Sequence, residues 1–256
     1  LIEVVSSLRE VISRLGSIIA SFERIYNIKL DYASGFVKFK RLRATENLLE
    51  LEKLAIVLKK TIYENYNIPI ITIETKEADY IIDGHHRAYA KYLLDLEGIN
   101  AYRILFNNYS PKNSYSISEL KTIETGEELT EEFAPWKALI KLIEYYRKLY
   151  GGEIKLKRIK VNIDSLVPTQ KYVEKHKLDK EYIVEREKIA PIVCLEHEGK
   201  YYILDGHIRS LKAKLEGKKE LDVIVLIPKV PVTPGIVRTC LVSGLRSLDD
   251  VEVIET

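Results

Sequence analysis

The chain has 256 residues, 46% hydrophobic and 30% charged, a balance that excludes a disordered or collagen-like polymer and leaves room for two cores of ordinary size. Lys and Arg number 40 against 38 acidic residues, a net charge of +2, so overall electrostatics make no case for nucleic-acid binding and only a local basic face would. Cys194 and Cys240 have no Cys-x-x-Cys partner or neighbouring histidines, so their spacing points to neither a zinc site nor a disulfide framework, and a reducing cytoplasm is the expected location.

No methionine occurs, even at position 1, as expected of a fragment or of a sequence that has lost modified residues. Residues 1–22 are partly apolar but carry Glu3, Arg9, Glu10 and Arg14. They read as an amphipathic helix and not as a signal or membrane-spanning run. Val37 to Phe39 reads as a short strand. The Arg43-Ala44-Thr45-Glu46 turn then leads into Leu48, Leu51, Leu54, Ala55, Leu58 and Ile62, an apolar stripe at helical spacing that places Glu46 at a helix start. A hairpin follows, Pro69 to Ile73 and Tyr80 to Ile82 around the charged turn Lys76-Glu77. The motif Asp83-Gly84-His85-His86-Arg87 then opens a helix that Gly98 is expected to end, and Ala101 to Phe106 forms the last strand.

Asn107 to Gly126 reads as a loop with short pieces of structure. Thr130 is the expected N-cap of a helix whose stripe Phe133, Trp136, Leu139, Ile140 and Ile143 runs to Gly151-Gly152. After it the first half is written again. Asp205-Gly206-His207-Ile208-Arg209 repeats the motif, Pro191-Ile192-Val193 matches Pro69-Ile70-Ile71 at equal distance before it, and Glu196 and Tyr202 match Glu74 and Tyr80. Leu166 to Gln170 matches Leu42 to Glu46, Gly217 ends the second motif helix, Asp222 to Ile227 is its closing strand, and Pro234 starts a helix in the tail. The period is too long for a solenoid. The organisation expected is a first domain over 1–128, a linker helix over 129–152 and a second, degenerate domain over 153–256, each an α/β (α+β) unit with a small mixed sheet and packed helices.

A tight turn that delivers Gly, His and Arg to the first turn of a helix gathers free N–H groups, imidazoles and a guanidinium, which suits phosphate. Gly84 lets the backbone approach an oxygen closely; His85 and His86 offer ring donors, and Arg87 a planar fork. Asp83 beside phosphate is either a ligand for a bridging Mg²⁺ or a general base, and Glu46 would orient or deprotonate an incoming hydroxyl. Asp205, Gly206, His207 and Arg209 form a second binding site of the same kind, or else Asp205 only caps its helix. The basic clusters Lys38, Lys40, Arg41, Arg43 and Lys155, Lys157, Arg158, Lys160 are either solvated strand edges or tracks for a nucleic-acid backbone.

The strand, Asp83-Gly84-His85-His86-Arg87 turn and helix, preceded by Leu42-x-x-Thr45-Glu46 and a Pro-led hairpin, resemble the ParB/sulfiredoxin superfamily, closest to its archaeal ParB-like free serine kinases. The resemblance covers residues 36–106 well and 159–227 more weakly. It implies a compact α/β fold whose motif helix binds nucleotide phosphates, and transfer of a phosphoryl group from ATP or ADP, with Mg²⁺, to a small hydroxyl-bearing substrate such as L-serine. It places the catalytic Glu at Glu46 and the motif Asp at Asp83, with phosphate contacts at Gly84, His85, His86 and Arg87. Gln170 and Ile208 replace Glu46 and His86 in the second copy, which therefore lacks an acid/base group, and sulfiredoxin's catalytic Cys has no counterpart. The alternatives are a ParB-like DNA-binding protein or nuclease regulated by a nucleotide, and a nucleotide sensor without turnover.

Overall fold

A computed structural model describes residues 2–179, 191–229 and 233–255. The chain divides into two compact units, Leu1–Leu129 and Thr130–Thr256.

In the first unit α1 (Leu8–Tyr26) starts where the Ser7 side chain accepts from the Glu10 N–H and stops at Asn27, in the left-handed conformation. Its Val11 and Leu15 pack on Ile71, Ile73 and Ile104 of the sheet. There follow β1 (Tyr32–Lys38), β2 (Leu42–Ala44), β3 (Leu48–Glu50), α2 (Leu51–Tyr63), β4 (Ile70–Glu74), β5 (Asp79–Asp83), α3 (His85–Leu93), β6 (Gly98–Leu105) and β7 (Lys121–Ile123). The main sheet has the order β1-β6-β4-β5-β2, and β3 pairs separately with β7. The expected hairpin is present as antiparallel β4 and β5.

Three local expectations are corrected. The helix does not begin after Glu46: Leu48–Glu50 is extended and pairs with Lys121–Ile123, so Glu46 sits on a turn between two strands. Gly98 does not end α3, which stops at Leu93; it opens β6, where a Cβ would lie 2.1 Å from the Val37 carbonyl oxygen. Thr130 is not an N-cap by its side chain. Its carbonyl accepts from the Phe133 and Ala134 N–H groups, and α4 (Ala134–Tyr150) starts later.

The second unit continues with β8 (Ile154–Asn162), β9 (Leu166–Val167), β10 (Tyr172–Glu174), α5 (Lys175–Asp179), β11 (Ile192–His197), β12 (Lys200–Asp205), α6 (His207–Leu215), β13 (Glu220–Pro228), α7 (Gly235–Val242) and β14 (Glu252–Ile254). Its sheet order, β8-β13-β11-β12-β9, reproduces the first strand for strand. The duplication therefore extends beyond the motifs that reveal it. The parallel pair β10 and β14 answers β3 and β7, and the second strand of each pair is preceded by a 3₁₀ turn with a reciprocal cap, Ser116 with Glu119 and Ser247 with Asp250. Helix α4, read from sequence as a linker, falls in the second unit and precedes the first strand of its sheet, as α1 does in the first unit. Aligning Tyr26 with Tyr150 brings Leu15, Ile19 and Phe22 onto Leu139, Ile143 and Tyr146.

One ion cluster ties the first sheet together below the motif. Asp79, fully buried at the start of β5, accepts from Arg41 Nε and Arg103 Nε, each at 2.9 Å. Arg103 also reaches Glu74 at 2.8 Å, and Arg41 donates to the Thr75 carbonyl. Arg41 is thus committed inside its own unit. In the second basic cluster Lys155 is buried beside Glu153, and Arg158 pairs with Asp222.

Candidate functional site

The turn from β5 into α3 requires glycine. Gly84 has φ 103°, and a Cβ there would meet Ile70 Cγ2 at 2.5 Å and the Arg87 guanidinium at 2.8 Å. Gly206 repeats this, with φ 96° and Arg209 at 2.9 Å. Gly84→Ala is expected to cost about 1–3 kcal/mol of stability in strain and to displace the guanidinium, visible as a lowered melting temperature. Neither glycine brings a side-chain cap. The Ala88 N–H is the first to bond back, to the Gly84 carbonyl, so the preceding N–H groups lie ahead of the helical ladder and open toward any ligand at that end.

That end of α3 lines a cavity of about 290 Å³ in the first unit. The N-terminal segment and α1 contribute Glu3, Val4, Val5 and Arg14; the turn after β2, β3 and α2 contribute Glu46, Leu48, Glu50, Lys53 and Val57; Tyr66 and Ile82 to Arg87 complete it. The wall segment is fixed by the Tyr66 hydroxyl, which donates to the Val5 carbonyl at 2.5 Å.

His85 is buried, and its Nε2 accepts the Thr45 N–H at 3.3 Å while the Thr45 hydroxyl gives its own proton to the Ile81 carbonyl at 2.8 Å. This arrangement assigns the ring proton to Nδ1. His207 does the same with Thr169 and Ile203. Burial pushes the His85 pKa down, against the pull of the Glu46 and Asp83 carboxylates; it takes His207 to about 4 and, with Lys53 nearby, His86 to about 3. The imidazoles are therefore neutral near pH 7, and what they offer an anion is a ring N–H dipole and not a charge. His86 bonds the Glu50 carbonyl, and its Nε2 is buried without a hydrogen-bond partner.

The sign of the pH effect follows. An unfolded histidine takes up a proton near 6.5 and a folded His86 only near 3, so its contribution to stability is full above pH 6.5 and is lost as pH falls toward 3. His86→Ile, the residue the second copy has at Ile208, is expected to flatten the acid limb of a stability-versus-pH curve over that window. An unchanged limb would count against a buried neutral ring.

Arg87 and Asp83 behave differently from the sequence reading. Arg87, 5% exposed, donates Nη2 to Asp83 at 2.6 Å and Nη1 to the Pro69 carbonyl at 2.8 Å. Arg209 makes the equivalent pair, to Asp205 and the Pro191 carbonyl, each at 3.1 Å. In both units this arginine staples the hairpin's first strand to the motif turn, which accounts for it without a ligand. The other oxygen of Asp83 lies 3.3 Å from Arg14. Both carboxylate oxygens are thus held by guanidinium groups, and among the described residues no three His, Cys, Asp or Glu are grouped to hold a metal ion. The donor set for Mg²⁺ expected to begin at Asp83 is not assembled by side chains.

Glu46 is exposed at the cavity and has no hydrogen bond or ion pair among the described residues. The sequence reading missed Lys53, in the first turn of α2, which stands 3.9 Å from Glu50. The same Glu-x-x-Lys spacing in the second copy, Glu174 and Lys177, was legible; there the pair closes to 2.6 Å. Cys194 is buried, its thiol pushed up to about 12, which leaves it inert. Among the described residues no helix is long and apolar enough to cross a membrane.

The fold and this cleft define a tandem α/β protein with one elaborated and one plainer copy of the same unit. No family model matches the chain. A stretch of 123 residues, 47% of this chain, is 30% identical to an uncharacterized protein of Methanocaldococcus jannaschii and covers 46% of it, so the chain spans about half the length of the curated relative it matches.

Proposed function

We propose that the first unit is a nucleotide-dependent phosphotransferase: it holds the phosphate end of ATP or ADP, carried as the Mg²⁺ complex, against the first turn of α3 and transfers a phosphoryl group to the hydroxyl of a small molecule, L-serine being one case. The observation that carries this reading is the pairing, in one cavity, of an uncapped helix start with an unengaged carboxylate, Glu46. The α3 N–H groups and the His85 Nδ1–H supply donors, and Lys53 the mobile cation that Arg87 cannot be. Glu46 takes the proton of the acceptor hydroxyl as its oxygen bonds to the terminal phosphorus. The bond from that phosphorus to the bridging oxygen breaks, and the leaving nucleotide keeps the electron pair. Asp83 serves by orienting Arg14 and Arg87.

The resemblance to ParB-like free serine kinases agrees with this reading. The commitment of Arg41 to Asp79 and of Arg158 to Asp222 weakens the alternative of basic strands tracking nucleic acid. The test is consumption of ATP or ADP with Mg²⁺ across a panel of hydroxyl-bearing metabolites, L-serine included, with products identified by mass. Phosphorylated product is expected. Bound nucleotide with no product from any acceptor would overturn transfer and leave a sensor, whereas two nucleotides per chain by calorimetry would give the second motif the same role.

A further inference from the structure

The duplication provides an internal control for the cleft. Residues that do the same thing in both units serve the fold: Arg87 and Arg209 on their Asp and Pro carbonyl, and His85 and His207 on their Thr. In the register that aligns α1 with α4, Glu10 and Arg14 fall on Ala134 and Ala138, so the second unit has neither. Asp205, held by Arg209, is 66% exposed, whereas Asp83 is 21% exposed beneath both guanidiniums. Among the residues confined to the first unit, Arg14, Glu46 and His86 line the cavity.

Arg14 differs from Arg87 in what it can still do. Its side chain is 41% exposed, it touches Asp83 at 3.3 Å through Nη1, and Glu10 holds Nη2 at 2.8 Å. The contact with Asp83 is the long one, and the fork has donors beyond those two. A polyphosphate at the mouth of α3 would lie beside Asp83, within the turn of a guanidinium already poised there, and would offer it a stronger pair than a carboxylate shared with Arg87. We propose that Arg14 is a polyphosphate-binding residue of the first unit, turning from Asp83 to the ligand and bringing α1 into the site; this rests on the nucleotide reading above. Glu10, which stays on Arg14, is a positioning residue. The second unit, with Ala138 at this place, would bind such ligands less tightly.

The test is calorimetric titration of the full chain with inorganic phosphate, inorganic tripolyphosphate and ATP plus Mg²⁺, for wild type, Arg14→Ala and Arg14→Lys, at two salt concentrations. Arg14→Ala is expected to weaken tripolyphosphate and ATP by about ten- to a hundredfold, the range of one charge-assisted contact, with a smaller loss for phosphate, a shallower salt dependence and an unchanged melting temperature. Arg14→Lys should fall between, since it keeps the charge and loses the fork, and it decides the matter if the alanine variant melts early. Wild-type affinity in both variants would overturn the role of Arg14 and leave the nucleotide reading standing. A wild-type chain that binds neither tripolyphosphate nor ATP would end both.

Discussion

Replacing Glu46 with Gln is expected to lower phosphotransfer by about a hundred- to ten-thousandfold while nucleotide affinity stays at the wild-type level. The carboxylate makes no hydrogen bond or ion pair among the described residues and reaches His85 only through its field, so removing its charge strands no other group, and stability should change by no more than about 0.5 kcal/mol. The second copy already carries the amide, Gln170, on the equivalent turn, and the same Thr-to-His and Thr-to-carbonyl bonds hold that turn. An amide therefore fits the backbone. A general base acts on the proton of the acceptor and not on the bound donor, so the loss should appear in kcat with the nucleotide Kd untouched. A variant that keeps kcat and weakens only acceptor binding would show that Glu46 holds the acceptor without deprotonating it. The reciprocal change, Gln170→Glu, is not expected to create a second active site, because Ile208 and Ala138 stand where His86 and Arg14 do.

What could be read beforehand was whatever has a local signal. Glycine before a helix, the Pro-led hairpin and the repeated Asp-Gly-His depend on neighbours a few residues away, and the two motif turns, both hairpins and the strand after each motif helix stand in the structure as those patterns require. The helix start after Glu46 failed because Leu48, Leu51 and Leu54 satisfy helical spacing while Leu48–Glu50 is claimed by a strand 73 residues further on; tertiary pairing decided what periodicity alone could not. The extent of the duplication was partly visible. Ser116-Ile117-Ser118-Glu119-Leu120 and Ser247-Leu248-Asp249-Asp250-Val251 share one pattern of cap, apolar residue and acid, but a linker helix hid the phase of the second copy. Partners were least legible. Arg87 looked like a ligand donor because sequence shows a guanidinium's place and not its neighbours, and the Pro69 carbonyl that occupies it lies 18 residues away across a hairpin. Lys53, an ordinary charge on a helix face, had only its Glu50 spacing to mark it.

Substitution of Asp79 by Ala should be the most damaging single change to stability among these, about 3 kcal/mol or more, or roughly 10 °C in melting temperature for a unit of this size. The side chain is fully buried and accepts from two arginines distant in sequence, Arg41 in the turn just ahead of β2 and Arg103 on β6. Without it, two guanidiniums that are 38% and 23% exposed face each other with only Glu74 and the Thr75 carbonyl left to them. They can turn in part toward water, which keeps the cost toward the lower end of that for a broken buried pair. The control lies in the second unit. Arg158 and Asp222 form an ion pair with side chains 42% and 36% exposed, so Asp222→Ala should cost at most about 1 kcal/mol. The difference is set by burial and not by pair geometry, and raised salt should shrink the smaller effect and spare the larger one. Thermal and urea melts of both variants at low and high salt check this; equal losses for the two would refute the assignment of Asp79 as the buried anchor. Because Asp79 opens the strand that ends at Asp83, a loosened cluster should also degrade the cleft. Asp79→Ala is accordingly expected to weaken nucleotide binding at temperatures well below its own melting point, whereas Asp222→Ala leaves it intact.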